Sequence, residues 1–266
     1  MIKWLRLGLF SGPLVLHANH ILKKMKKHPE KYSLKERSGV IHRYAKKLSK
    51  GGFRIRFVIE GKENLLSEQA LYVGNHRSVI DPILFYAISD MPLTVVAKKE
   101  VEKMPVFGNV VQCVDGFFLD RENLRAELKT FLAIHKKLED ESDLSLIIYP
   151  EGTRSKAPDF PLLPFHAGTF KLATKKGLPI VPVCMVHTDR VLNQKMHYHC
   201  YPIQVCILPP IREEEYSSLT GEQIATLVHD RMEKEIERMK EREESLIMEM
   251  NHYSKKKAEK VMSYHK

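Results

Sequence analysis

The chain has 266 residues, of which 43% are hydrophobic, so it is long and apolar enough to bury a substantial core and is not wholly disordered. Its net charge of +10 lies near the start, because residues 1–64 hold 16 Lys and Arg against 4 Asp and Glu, while the remainder sums to −2. The chain has four cysteines, Cys113, Cys184, Cys200 and Cys206, and no two of them form a C-x-x-C pair. This spacing argues against a disulfide framework or a zinc site and favours a reducing compartment.

The first 22 residues place Lys3 and Arg6 before an apolar stretch that Pro13 interrupts. A helix that spans a bilayer needs about 20 predominantly apolar residues, so this stretch is too short to be one. A signal peptide is the competing interpretation. Residues 16–18, Leu-His-Ala, make a poor cleavage site, however, and the cysteine pattern argues against export.

Residues 22–50 are rich in lysine and predict two helices joined around His28-Pro29-Glu30. We interpret them as a pair lying in the membrane interface, where Trp4 and Phe10 enter the lipid and lysines meet its head groups. The alternative is a helical hairpin packed on its own domain. Nucleic-acid binding is disfavoured, because this segment carries a membrane-like apolar run and no recognised nucleic-acid motif.

From Phe53 onward, short apolar runs alternate with helical stretches, a pattern typical of an α/β domain. The predicted strands are 53–60, 71–74, 94–97, 110–114, 144–149, 180–187 and 204–208. The predicted helices are 82–88, 121–137 and 165–176.

A motif with chemical potential follows the strand at 71–74: Asn75-His76-Arg77-Ser78-Val79-Ile80-Asp81-Pro82. His76 therefore lies on a strand-to-helix turn, where α/β proteins tend to place chemistry. If the loop folds the Asp81 carboxylate back onto the imidazole, His76 can act as a general base toward a hydroxyl. Alternatively, Asp81 only caps the following helix and His76 is a polar loop residue.

Cationic side chains follow the other strands. Residues 151–155, Glu-Gly-Thr-Arg-Ser, come after an apolar strand and a proline. Gly152 permits a tight turn of the backbone. Arg154 offers a planar charged group that suits phosphate. Glu151 is expected to accept a substrate hydroxyl or to orient Arg154. The same pattern also fits a surface Glu–Arg pair on a tight loop. Further candidates for one anionic pocket are Arg121, Lys98 and Lys99.

Two segments remain. His197, His199 and Cys200 alternate in a strand-like stretch and are not expected to converge on a metal.

Residues 220–249 predict a long charged helix with one apolar stripe, which by default packs on the domain but could also contact another chain or the membrane. The stripe comprises Ile224, Leu227, Val228, Met232, Ile236 and Met239. We therefore divide the chain into 1–52, membrane-docking helices; 53–212, the α/β domain; and 213–266, the charged helical extension.

The His-x4-Asp motif resembles the first motif of the glycerolipid acyltransferases, the lysophosphatidic acid acyltransferase family. Three more motifs follow in the family's order: Gly-Phe-Phe-Leu-Asp-Arg at 116–121, Glu-Gly-Thr-Arg-Ser at 151–155 and Ile-Val-Pro-Val at 180–183. The likeness runs from about residue 60 to about residue 210. It implies an α/β fold with a central mixed sheet flanked by helices.

The resemblance also implies a reaction. His76, assisted by Asp81, would deprotonate the acceptor hydroxyl, which attacks an acyl thioester, either acyl-CoA or acyl carrier protein. The acceptor's phosphate and glycerol would contact Arg121, Glu151, Gly152, Thr153 and Arg154. No cofactor is expected, and the implied partners are a lysophospholipid, an acyl donor and a phospholipid membrane at its cytoplasmic face.

One departure concerns the head group. Many relatives have Phe-Lys-x-Gly after the third motif, whereas this chain has Phe165-His166-Ala167-Gly168. A permanent cation is thus replaced by a side chain that is charged only part of the time near neutral pH. The alternatives are an acyltransferase for another lysophospholipid, or a lipid-binding protein without catalysis, although such a relative would be expected to lose His76, Asp81 or Arg154.

Overall fold

The computed structural model describes residues 2–89, 91–155, 161–193 and 198–263, with the backbone alone for residues 2–4 and 6. The side chain of Trp4 and the whole of His197 therefore lie outside the described part. The helices are α1 (Ile2–Lys27), α2 (Leu34–Lys47), α3 (Asp81–Ile88), α4 (Phe107–Cys113), α5 (Leu124–Asp140), α6 (Lys171–Thr174), α7 (Glu213–Tyr216), α8 (Gly221–Glu241), α9 (Glu243–Asn251) and α10 (Lys255–Met262).

The described residues form a seven-stranded sheet, as the α/β pattern predicts. Its strands are β1 (Ile55–Glu60), β2 (Leu71–Gly74), β3 (Leu93–Lys98), β4 (Phe117–Leu119), β5 (Ser145–Ile148), β6 (Ile180–Val186) and β7 (Tyr201–Ile207). Their order is β1-β7-β6-β2-β5-β3-β4. The run from β6 to β4 is parallel, whereas β7 is antiparallel to β6 and parallel to β1, so the sheet is mixed.

Two hydrophobic clusters cover the two faces of the sheet. The first includes residues of α1 and α2, among them Leu22 and Ile41, together with α3 and α4. The second contains α5, α6 and α8. The N-terminal helices and the C-terminal extension thus both contribute side chains to the core around the sheet. The division of the chain at residues 52 and 212 stays a prediction.

The C-terminal extension packs on the sheet by the stripe that its sequence predicts. Buried residues of α8 recur at helical spacing: Ile224, Val228, Met232, Ile236 and Met239. The Thr220 side chain accepts a hydrogen bond from the Gln223 backbone and begins the helix. The predicted single helix is interrupted at Arg242, which lies between the end of α8 and the start of α9.

One predicted strand is wrong. Residues 110–114 lie mostly in α4, and the strand of this region is β4, three residues farther along the chain. A short apolar run fits a buried helix as well as a buried strand, because periodicity does not distinguish the two. The predicted helix at 165–176 is also shorter: a 3₁₀ turn at Ala167–Phe170 precedes the four residues of α6.

The helix α5 begins at Leu124, three residues later than predicted, because the Asn123 side chain caps it by accepting from the Ala126 N–H at 3.1 Å. Within the described ranges, no helix combines the length and the apolarity that crossing a bilayer requires.

Candidate active site

The predicted site residues converge at one edge of the sheet. Because β2, β5, β3 and β4 are parallel neighbours, the loops that follow them leave from the same side. His76 follows β2, Glu151 follows β5, Lys98 ends β3 and Arg121 follows β4. Residues that are up to 75 positions apart in the sequence are therefore brought to one rim.

The imidazole of His76 is held by Asp81. Nδ1 of His76 lies 2.9 Å from Oδ2 of Asp81, and the same oxygen accepts from the backbone N–H groups of Arg77 and Ser78 at 2.7 Å each. Asp81 is fully buried, while the His76 side chain remains 21% exposed. With Nδ1 directed at the carboxylate, Nε2 is the nitrogen that is left to accept a proton.

This geometry corrects the interpretation of Asp81 as a helix cap. The helix α3 begins at Asp81 itself, its capping residue is Ile80, and no side chain caps it. The Asp81 carboxylate instead accepts from the loop that precedes the helix. Its role is therefore to fix the His76 turn and the orientation of the ring.

Glu151 connects the first and third motifs through the backbone. Its Oε1 accepts from the His76 N–H at 2.5 Å and its Oε2 from the Leu163 N–H at 3.1 Å. The side chain is buried, and this burial raises the pKa of the carboxyl above its ordinary value. Both oxygens are thus engaged by the protein, and Glu151 acts as a positioning residue for the His76 turn rather than as a partner of Arg154.

A second link runs through Ser155. The Ser155 N–H donates to the His76 carbonyl at 3.0 Å, and Nη1 of Arg77 donates to the Ser155 hydroxyl at 2.9 Å. The loops after β2 and β5 are therefore joined by at least three hydrogen bonds, which fix the position of the imidazole.

Sequence reasoning did not single out Tyr149 and Asn75. The Tyr149 ring is buried with its centroid 4.7 Å from that of the His76 ring, and a Cβ at Gly74 would lie 2.7 Å from the tyrosine ring. The Asn75 amide exchanges two hydrogen bonds with the Met185 backbone, at 2.9 and 2.8 Å. The position of Asn75 beside His76 was the available signal for it, whereas Tyr149 resembles an ordinary strand residue.

Arg121 lies over Gly152. The glycine has a φ of +68°, and a Cβ placed on it would fall 1.5 Å from Nη1 of Arg121. The absence of a side chain at residue 152 therefore lets the guanidinium of the second motif contact the turn of the third. Thr153 and Arg154 come next and are exposed. Among the residues that the structure describes, Arg154 has no hydrogen-bond or ion-pair partner.

The two candidate lysines differ. Nζ of Lys99 forms an ion pair with Asp120 at 2.8 Å, within the second motif. Lys98 is exposed and has no ion pair with any described residue. His166 is exposed, and its backbone N–H donates to the Pro150 carbonyl at 3.0 Å, which ties it to the third motif. Arg154 and Lys98 are thus available to an anion, while Lys99 is already paired.

The His199 and Cys200 side chains lie in protein contacts instead of at this rim. The His199 ring packs on Tyr253, and Sγ of Cys200 donates to the Met250 carbonyl at 3.3 Å. The described residues form two clusters of potential metal ligands, and neither includes His199 or Cys200. One cluster is Glu60, Cys206 and Glu235, and the other is His229, Asp230 and Glu233.

The chain is similar in sequence to known proteins. A family model described as Acyltransferase matches residues 56–186. The 1-acyl-sn-glycerol-3-phosphate acyltransferase of Haemophilus influenzae is 30% identical over 190 residues, which cover 71% of this chain and 77% of that protein. Its counterpart in Limnanthes douglasii is 32% identical over 179 residues, covering 67% of this chain; the chain spans 62% of that relative's length.

A solved structure has the same fold. The crystal structure of the 1-acyl-sn-glycerophosphate (LPA) acyltransferase PlsC from Thermotoga maritima superposes with a TM-score of 0.63 and 23% identity. The superposition covers 86% of this chain and 88% of that one.

Proposed function

We propose, because this chain belongs to the acyltransferase family, that it moves a fatty acyl group from an acyl thioester to the free hydroxyl of lysophosphatidic acid, giving phosphatidic acid. The observation that carries the proposal is the His76–Asp81 pair, with Nδ1 of the histidine bound at 2.9 Å and Nε2 left for substrate. The donor is acyl-CoA or acyl carrier protein.

In the proposed step, Nε2 of His76 takes the proton from the acceptor hydroxyl while the oxygen attacks the thioester carbonyl. The buried Asp81 carboxylate stabilises the imidazolium that forms. When the tetrahedral intermediate collapses, the carbon–sulfur bond breaks and the thiolate takes the proton from His76. The ester and a free thiol are the products, so the step needs no serine or cysteine nucleophile, metal ion or bound organic cofactor.

The acceptor's phosphate is proposed to bind Arg154, Arg121 and Lys98. Arg154 can donate two parallel hydrogen bonds to a phosphate, which a lysine ammonium does not reproduce. Since Arg121 lies over Gly152 beside Arg154, both guanidinium groups would approach the same phosphate. Lys98 at the end of β3 would add charge without fixed geometry.

The test is thiol release from acyl-CoA in the presence of lysophosphatidic acid, with phosphatidic acid identified by mass spectrometry. Arg154→Lys should lower kcat/KM for the acceptor by about 10²-fold, since a misplacement of about 1 Å can cost that much. The KM for the thioester should change little. Lys175→Arg, an exchange between the same two cations at an exposed position outside the site motifs, is the control. If Arg154→Lys weakens thioester use instead, the third motif serves the donor.

A second candidate is acyl transfer to a lysophospholipid with another head group. The observation that favours it is His166, which is attached to Pro150 and stands where many relatives carry a lysine. A panel of lysophospholipids offered with one acyl-CoA separates the two candidates. A preference for a zwitterionic over an anionic acceptor would favour the second.

The membrane surface is proposed as the source of the acceptor. On α1, Ser11, Ala18 and Leu22 are buried against the rest of the chain, while the outward side exposes large apolar residues. These apolar residues are Leu5, Leu9, Phe10 and Leu16, and each is 64–71% exposed. We infer that this side enters the lipid interface of the cytoplasmic leaflet, as an interfacial rather than a spanning helix.

A second exposed apolar stripe lies on α5. Leu124, Leu128 and Leu132 are 53–78% exposed and lie one turn apart, starting three residues after Arg121. Arg125 and Lys129 are exposed beside them and suit anionic head groups. An acceptor extracted from the lipid at this stripe would meet Arg121 first.

A further inference from the structure

A second cavity lies along β1, apart from the catalytic rim. It has a volume of about 660 Å³ and runs between the strand, the end of α2 with the Leu48–Gly52 turn, and the end of α3. We call it the β1 trough. Its apolar lining comprises Ile55, Phe57, Ile59, Leu65, Ala87 and Ile88. The volume falls within the range of about 300–1,000 Å³ that is typical of small-molecule sites.

The charged residues that line the β1 trough are all cationic: Lys46, Lys50, Arg54, Arg56 and Lys62. The other polar residues of the lining are His42, Ser49, His199 and Cys200. No described residue of the lining is acidic, and among the described residues none of these lysines or arginines has an ion-pair partner. Cations gathered without acidic partners raise the local positive potential and attract anions.

The trough is separate from the candidate active site. None of His76, Asp81, Arg121 or Arg154 lines it. In the sheet, β7 and β6 lie between β1 and β2, and neighbouring strands are about 4.8 Å apart, so β1 lies roughly 14 Å from the strand that carries His76. A ligand in the trough and an acceptor at His76 therefore have different binding groups.

We propose that the β1 trough binds one molecule of an anionic glycerophospholipid. One acyl chain lies along Ile55, Phe57 and Ile59, where it covers the Phe57 and Ile59 side chains, which are otherwise partly exposed to water. The phosphate lies among Lys46, Lys50 and Lys62. A zwitterionic choline lipid fits less well, because its quaternary ammonium would face the same cations, and a free phosphate leaves the apolar lining uncovered.

This site goes beyond acyl transfer and does not depend on it. Ser49 and Lys50 of the Leu48–Gly52 turn line the trough, and Gly52 of the same turn lies against Ser11 of α1. The turn therefore connects the trough with the helix proposed to contact the membrane. A lipid bound there would hold the N-terminal helices against β1 and attach the protein to an anionic surface.

The experiment uses dihexanoyl phosphatidic acid below its micelle concentration, so that binding to single molecules is measured without a membrane. Isothermal titration is carried out on the full chain bearing Arg121→Ala and Arg154→Ala, which removes the proposed phosphate contacts at the catalytic rim. In this background we expect saturable binding with one lipid per chain. Dihexanoyl phosphatidylcholine and inorganic phosphate should each bind at least tenfold more weakly.

Charge reversal within the trough supplies the decisive comparison. Lys46→Glu and Lys50→Glu should each weaken binding of dihexanoyl phosphatidic acid about tenfold or more, which corresponds to 1.4 kcal/mol. Lys47→Glu is the matched control, because Lys47 is exposed on the same helix and does not line the trough. Ile59→Asn should weaken lipid binding and leave the weak phosphate binding unchanged, with circular dichroism checking the fold.

Three results would overturn the proposal. They are an equal loss in Lys47→Glu, equal affinity for phosphate and lipid, or no binding once Arg121 and Arg154 are removed. The titration contains no thioester, so its result does not depend on the proposed reaction. Lipid binding in the titration together with no thiol release by the parent chain in the acyl-CoA assay would contradict the reaction and leave the trough proposal standing.

Discussion

The guanidinium of Arg121 occupies the space that a side chain at Gly152 would need, so the second and third sequence motifs are in direct contact. Arg121 follows the edge strand β4, whereas Gly152 follows the interior strand β5, and β3 lies between these strands. The arginine therefore reaches across one strand to meet the turn that carries Arg154. This contact places the two cations on one side of the rim.

Gly152→Ala is expected to displace Arg121 and to impair use of the acceptor. The new Cβ would lie 1.5 Å from Nη1, and alanine at a φ of +68° is strained by about 1–3 kcal/mol. We expect kcat/KM for the acceptor to fall about 10²-fold, with a smaller change for the thioester. Gly168→Ala is the control, because its Cβ would meet no atom within 4 Å. Equal kinetics in the two variants would contradict the contact.

His76→Ala should reduce kcat by at least about 10²–10⁴-fold, the usual contribution of a general base. The fold should persist, because the side chain is partly exposed on a loop. Turnover is measured at saturating substrate, with circular dichroism as the check of folding. His28→Ala, an exposed histidine outside the rim, should keep full activity. Near-normal turnover in His76→Ala would exclude the proposed mechanism.

Glu151→Gln should change how stability depends on pH. Burial raises the pKa of the Glu151 carboxyl, so its contribution to stability is full below the pKa of the unfolded chain, about 4.3, and is lost as pH rises through the higher folded value. Glutamine does not titrate, so this fall should be absent in the variant. Urea unfolding at several pH values from 4 to 8 measures it.

Glu63→Gln, at an exposed position, should keep the pH dependence of the parent chain. Parallel stability curves for the parent chain and Glu151→Gln would show that burial does not destabilise the ionised carboxyl. Glutamine also has one acceptor oxygen for the two N–H donors of His76 and Leu163, so kcat should fall as well.

Asp115→Asn should weaken the contact between α2, which carries Arg37, and the turn after α4, which carries Asp115. Arg37 is buried and donates to both oxygens of Asp115, at 2.7 and 2.8 Å. Burial acts to raise the pKa of Asp115, but Arg37 and Lys137 outweigh it, so the pKa lies below its ordinary value. The stability from this carboxylate is present above about pH 3.9 and is lost as pH falls through the lower folded value.

Asparagine tolerates the φ of +50° at this position, so the substitution tests the charge pair rather than the backbone. We expect a loss of about 1.5–3 kcal/mol in the free energy of unfolding at pH 7, measured with urea. Asp140→Asn, which is exposed and has no ion pair with any described residue, should lie within about 0.5 kcal/mol of the parent chain. A loss of that small size in Asp115→Asn would show that the pair is not a stabilising contact.

A double variant that combines Leu9→Asn with Phe10→Asn should bind anionic vesicles at least tenfold more weakly than the parent chain, although its net charge is the same. Burial of one such side chain contributes about 1.5–3 kcal/mol. Point substitutions are preferable to removing residues 1–50, because Leu22 and Ile41 belong to the core. His20→Asn, on the same helix, is the control. Complete release of the parent chain by high salt alone would contradict apolar insertion.

The sequence predicted the positions of the candidate site residues better than their contacts. An apolar run that ends in Gly74 places His76 on a strand-to-helix turn, which is a local property. The hydrogen bonds of Glu151 form because β2 and β5 are neighbours in the sheet. The spacing of residues along the chain does not predict which strands are neighbours. The same holds for the Lys99–Asp120 ion pair, since it requires β3 beside β4.

Burial and close packing were the least predictable features. Residues 110–114 are as apolar as a strand, so the run itself does not predict the helix α4. Gly108 of this helix lies against the backbone of residues 101 and 102, which lets the helix pack tightly on the preceding turn. Tyr149 has no motif of its own, and its contact with His76 depends on the absence of a side chain at Gly74.

The place of β5 in the sheet has a consequence for how the protein is made. β5 lies between β2 and β3 but is synthesised after both, and roughly 50 residues separate the end of β3 from the end of β5. At about 5–20 residues per second, a ribosome needs roughly 2–10 s to make that stretch. During this time β2 and β3 have no correct neighbour between them and expose unpaired backbone groups that can pair with other chains. Nascent copies at this stage should be bound by chaperones, and a chain released before residue 145 cannot close its sheet.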